Sequence, residues 1–305
     1  MTKIDKPGIY DISMAEYHGD PCIGHSVSGS GLVTIEQQSL AHYWWSSPLN
    51  PARPADEPTP ALVFGQAFHC LVLEGLTAFA ARYAVKPADM NFSTKEGKAW
   101  RADHAGREII PQEWADRAEA MRAAILRHPL CARAFVNGLP ERSLIWRDAE
   151  TGLWLKSRPD WLPNAPAPVP NLKSAASLQP ETWERQAINL GYHQSAALSA
   201  DALAAVLGWP SPTAYFIVQE KEPPYVTAPV VIDDDVIAWG RMINRRALHK
   251  LARAVETNQW PAYTDGVMVV RMPVWAEKKL EARHASGEFS EVDPARQGPI
   301  EGAGT

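Results

Sequence analysis

The sequence predicts an α/β domain in which a central mixed sheet is flanked by helices. Three observations carry that prediction. Residues 61–74, "ALVFGQAFHCLVLE", and residues 111–126 repeat apolar side chains at helical spacing; residues 143–173 break into short strand-like runs; residues 180–257 return to helix, two strands and a helix. Alternation of this kind places helices over the faces of a sheet. A chain of 305 residues, 46% hydrophobic and 21% charged, can bury a full core as one large or two small domains.

The elements follow in order. Residues 1–60 are rich in Ser, Gly and Pro, hold the aromatic run "HYWW" (His42 to Trp45) and leave through "SPLNPARPADEPTP", which predicts a mostly irregular segment packed on the core. In the next stretch Phe64, Phe68, Leu71 and Val72 share one helix face, and between Pro111 and Leu126 Trp114, Ala118, Met121 and Ile125 do the same. "SLIW", "GLWLKSRPDWLP" and "VPNLK" read as a meander of strands, separated by an acidic turn and by "PNAPAPVP". Pro180 starts one long helix or two broken at Gly191; "TAYFIVQEK" and "VTAPVVI" are strands, and Asp233 to Thr257 is a helix. The compact domain is expected over residues 61–281, with a flexible tail over 282–305.

Bulk properties narrow the function classes. Cys22, Cys70 and Cys131 are far apart and lack CxxC spacing, which argues against a disulfide framework and against a thiolate zinc site. No window approaches the roughly 18 uninterrupted apolar residues that a membrane span needs, and neither end reads as a signal peptide. The expected protein is soluble and cytoplasmic, with no membrane partner. A net charge of -5 argues against coating nucleic acid over the whole surface, while leaving room for one local basic groove.

Chemistry concentrates on two neighbouring strands. Asp160 follows Pro159 at a strand end, and Asn171 and Lys173 lie two apart on the next strand, hence on one face. A hairpin between these strands would bring the three together. Magnesium takes oxygen ligands from one or two carboxylates, water and phosphate, and a nearby lysine can orient or deprotonate the attacking water. Pro-Asp, ten residues, then x-x-Lys is the skeleton of the PD-(D/E)XK nuclease site, with Asn171 where the second acid belongs.

Further segments extend the match. "GIYDISMAEYH" (8–18), "GQAFHCLVLE" (65–74), "ERSLIWRDAETGLWLKSRPDWLP" (141–163), "NLKSAAS" (171–177), "GYHQSAALSADAL" (191–203) and "MPVWAEKKL" (272–280) together resemble the RecE-type exodeoxyribonuclease VIII nuclease domain, related to lambda exonuclease and RecB-type nucleases. The resemblance implies a PD-(D/E)XK fold and magnesium-dependent, processive 5′ to 3′ digestion of one strand of linear duplex DNA, with Mn2+ as a substitute. It also implies a ring-shaped homo-oligomer, double-stranded DNA ends as substrate in phage-type recombination, and a single-strand annealing protein as partner.

Residue by residue, it makes His69 and Asp160 metal ligands, puts Asn171 in the second carboxylate position, and lets the Leu172 carbonyl complete the shell. Lys173 becomes the catalytic lysine and Glu141 an acidic residue at the same site, while Lys98, Tyr192 and Gln194 are expected at the DNA. Departures accompany these matches. The amide of Asn171 is a neutral, weaker ligand than a carboxylate, so metal affinity and catalysis should fall. Gln194 comes one place early, followed by Ser195, and Ser199 stands where the family has Tyr. The alternative to an enzyme is a silenced nuclease fold that binds DNA ends or a partner protein.

Overall fold

The structure, a computed structural model, describes residues 2–54, 57–209 and 214–289. It divides into a large unit, Met1–Tyr263, and a small one, Thr264–Thr305. In the large unit the chain runs β1 (Gly8–Tyr10), α1 (Met14–His18), β2 (Ser26–Ser28), α2 (Gly29–Gln37), α3 (Leu40–Ser46), α4 (Pro60–Leu73), α5 (Gly75–Arg82), β3 (Tyr83–Lys86), α6 (Lys95–Asp103), β4 (Glu108–Pro111) and α7 (Gln112–Arg127). It continues through β5 (Gly138–Pro140), β6 (Ser143–Arg147), β7 (Trp154–Ser157), β8 (Trp161–Pro163), β9 (Val169–Ala175), α8 (Pro180–Asn189), α9 (Tyr192–Leu207), β10 (Ala214–Glu220), β11 (Thr227–Val231) and α10 (Asp234–Thr257). The small unit holds α11 (Val274–Ala285).

Local chemistry explains the helix that matters most for the site. Thr59 caps α4 by accepting from the Leu62 amide at 3.3 Å, and Pro60 occupies its first turn, where a missing N–H costs nothing. Its apolar face buries Phe64, Ala67, Phe68 and Leu71. Further on, Gly191 at φ 69° separates α8 from α9, the broken alternative of the sequence, because the left-handed conformation is open to glycine and ends a right-handed helix.

The ladders are mixed. One sheet has the order β1-β6-β7-β2, with β6 antiparallel to β1 and β7 and β2 parallel to β7; the other has the order β11-β10-β9, with β9 and β10 parallel. Side chains alternate across β9 and β10. Leu172 and Ile217 face Phe68, Leu71, Met121 and Ile125 of α4 and α7, while Ala175, Phe216 and Val218 face Trp183, Ala196 and Ile237 of α8 to α10. Helices therefore cover both faces of this sheet, the α/β arrangement expected.

The structure departs from three expectations. The described part of residues 1–60 is about half regular: it contains α1 to α3, and β1 and β2 form the two edges of the first sheet. Those strands are three residues long, too short for a period-2 pattern to register in the sequence. The meander stops at β7, and β9 pairs instead with β10, across the α8–α9 crossover. At the C-terminal end, α11 continues through Ala285, past the expected tail boundary, and residues 290–305 lie outside the described residues.

Candidate metal centre

Asp160 lies in the bend between β7 and β8, at the free edge of β9. Three backbone contacts fix it. The Leu172 amide donates to Asp160 Oδ2 at 2.6 Å, the Asp160 amide donates to Asn171 Oδ1 at 3.3 Å, and the Glu141 amide donates to the Asp160 carbonyl at 3.2 Å. The Leu172 carbonyl shares the strand edge of its amide, so it too is directed towards Asp160.

Helix and strand then deliver charge from opposite faces. His69, from α4, places Nδ1 3.9 Å from Asp160 Oδ2, and Lys173, from β9, places Nζ 3.6 Å from the same oxygen. Glu141 enters from the turn after β5 with φ 54°, a left-handed conformation that is costly for a residue with a Cβ. His69, Glu141 and Asp160 each offer a ligand atom, and these atoms all lie within 4.8 Å of one another. A nitrogen and two carboxylate oxygens at that spacing fit a hard or borderline divalent cation.

The electrostatics agree with this fit. Burial, and then the neighbouring Asp160 carboxylate, push the Glu141 carboxyl up to about 8, with Arg158 and Lys173 opposing. Two carboxylates that resist joint ionisation are what a divalent cation would relieve. The His69 imidazole is held below its ordinary value, chiefly by burial, with Lys173 adding and Asp160 opposing; it is neutral, the form that ligates metal, at physiological pH.

Glu141, expected as an acidic residue of this site, stands in the cluster beside Asn171. The Asn171 oxygen is turned to the Asp160 amide, and the cluster is completed by Glu141. Tyr192 lies against Lys173, with Nζ 5.8 Å from the ring centre, and stacks on Phe216. Gln194, expected at the DNA, is 1% exposed: its side chain donates to Asn244 Oδ1 on α10 at 3.1 Å, and its main-chain carbonyl accepts from Asn244 Nδ2 at 2.8 Å. Those two bonds tie α9 to α10. Ser199 bonds Ser157 of β7 at 3.0 Å, tying α9 to the first sheet. Lys98 is exposed on α6 and is not among the residues lining the groove described below. In "HYWW", Tyr43 is buried and meets His25 Nε2 at 2.7 Å, a packing role.

The centre opens into a groove of about 1630 Å³ lined by five basic side chains the sequence did not single out, Arg53, Arg82, Arg142, Lys156 and Arg158. Lys156 is 4% exposed; its Nζ donates to the Tyr17 carbonyl at 2.6 Å, and burial pushes it down to about 8. Arg158 lies over the Tyr17 ring at 4.5 Å and donates to Ser143 Oγ at 2.8 Å. The run "KSRPD" was the available signal, since alternation puts 156 and 158 on one face.

The sequence matches the PDDEXK-like domain of unknown function (DUF3799) over residues 41–273. The structure is similar to a crystal structure from Eubacterium rectale described as "Putative exonuclease", with a TM-score of 0.59 and 14% identity over 88% of this chain and 96% of that one. None of the curated proteins matches the sequence. Among the described residues, no helix is long and apolar enough to cross a membrane.

Proposed function

Because the chain belongs to the PDDEXK-like family, matched over residues 41–273, we propose that it is a divalent-metal-dependent nuclease acting on linear double-stranded DNA. The observation that carries the reading is the convergence of His69, Glu141 and Asp160, with Lys173 3.6 Å from Asp160, at the wall of an open groove. Magnesium, or manganese in its place, would be held by those three side chains with the Leu172 carbonyl beside them. A bound cation of this kind supplies Lewis acidity towards a phosphodiester and lowers the pKa of a coordinated water.

The residues of the chain do the rest. Lys173, held between Asp160 and the Tyr192 ring, orients the water and offsets negative charge that builds on the phosphate. Lys156 and Arg158 give the groove positive charge for the DNA backbone. RecE-like 5′ to 3′ polarity, a role in phage-type recombination, a ring-shaped oligomer and an annealing partner belong to the same reading and rest on the sequence resemblance. Asn171 favours a second reading, a protein that holds DNA ends and cuts them slowly or not at all.

Incubation of 5′-phosphorylated linear duplex and closed circular duplex with the protein, in magnesium and in EDTA, separates these. Loss of the linear form alone, only in magnesium, is the expected result. Binding without loss supports the second reading, and neither binding nor loss refutes both.

A further inference from the structure

Glycines inside helices need a reason, since glycine is the poorest non-proline residue there. Gly31, Gly97 and Gly240 each have one: an added Cβ would lie 2.8 Å from the Tyr43 ring, 2.1 Å from the Asn91 carbonyl oxygen and 2.3 Å from the His193 carbonyl oxygen, respectively. Gly65, in the middle of α4, has none. Its backbone is not left-handed, and a Cβ there would meet no described atom within 4 Å. Nothing within the protein requires the missing side chain.

What Gly65 does face is the groove. Ala61, Leu62, Gly65, Gln66 and His69 of α4 all line it, and Gly65 precedes His69 by four residues, one turn or about 6 Å along the axis. Leu62, one turn earlier, is 52% exposed. This stretch of wall is uncharged, and it leads directly to the metal-ligating histidine.

We infer that Gly65 is a binding residue for the DNA strand: the bare helix backbone admits the nucleotide next to the one at the His69 cluster. Because the wall beside it carries no charge, the group that approaches is the sugar or base edge, and the phosphates face arginines that line the same groove, Arg158 and Arg142 among them. A glycine where a ligand must come close to the backbone is a known use of the residue. The inference rests on the nuclease reading and adds to it the path of the strand.

The test compares the wild type with Gly65→Ala and Gly65→Leu. DNA affinity is read by fluorescence anisotropy of labelled linear duplex in calcium, cation affinity by Mn2+ calorimetry, and folding by thermal melting. Gly65→Ala is expected to melt about 2 °C higher, because alanine favours helix and the space is open. Gly65→Leu is expected to fold, to keep Mn2+ affinity within about twofold, and to lose DNA affinity by about tenfold or more, equivalent to about 1.4 kcal/mol. Gly65→Ala should lose less. If Gly65→Leu binds duplex as the wild type does, the inference is overturned and the nuclease reading stands. If Gly65→Leu loses Mn2+ affinity in proportion, the effect runs through His69 and the inference is again overturned. A wild type that binds no duplex at all overturns both.

Discussion

Restoring a carboxylate at Asn171 should tighten cation binding by more than tenfold. The side chain already sits at the centre, with Oδ1 3.3 Å from the Asp160 amide, so Asn171→Asp keeps that acceptor and adds one negative charge. A unit charge about 5 Å from a dication interacts by about 1.7 kcal/mol even at the dielectric constant of water, a floor for a half-buried site. At about 1.4 kcal/mol per tenfold, that is a factor of about 16 in affinity. Without metal the same charge joins Asp160 and Glu141, so the metal-free variant should melt below wild type and recover when magnesium is added. Calorimetric titration of both proteins with Mn2+ at pH 8, followed by melting with and without magnesium, reads both effects. Equal affinities for the two proteins would refute the placement of residue 171 beside the bound cation.

Other consequences follow from the same structure. Glu141 titrates near pH 8 in the metal-free fold and must lose its proton to ligate, so the apparent Mn2+ dissociation constant should fall about tenfold per pH unit up to about 8 and level off above it. The raised carboxyl binds its proton more tightly folded than unfolded, so metal-free wild type should lose stability relative to Glu141→Gln as pH rises from about 4.5 to 8; a difference between the two that stays constant over that range would contradict the burial of this group. Gln194→Ala breaks the pair with Asn244 and should cost about 1–3 kcal/mol in denaturant unfolding, with duplex affinity unchanged; a selective loss of DNA binding would restore the role expected from the sequence. Phe68→Ala, at a fully buried position beside His69, should cost about 3–5 kcal/mol in the same assay.

Much of the site was legible because its parts are local. Asp160 after proline, Lys173 two places from Asn171, and a histidine on an apolar helix are short-range patterns, and backbone periodicity fixes which of them share a face. Glu141 was expected at the site and stands there, although it reaches the cluster through a left-handed turn, a conformation that composition does not reveal. What failed was of another kind. Gln194 matched a family motif displaced by one position, and on a helix one position is a rotation of about 100°. In the structure it lies in the seam with α10. Short strands β1 and β2 were invisible for the same reason that they are stable only in place: three residues acquire strand character from the neighbours they pair with, Ile145 and Leu155 among them.

The most direct measurement is a crystal grown or soaked with Mn2+ and an anomalous difference map at the manganese edge. A single peak at coordination distance from His69, Glu141 and Asp160, with Asn171 still turned to the Asp160 amide, is the expected result. A map with no peak at this cluster, from a crystal in which Mn2+ binds elsewhere, would contradict the metal centre and with it the nuclease reading.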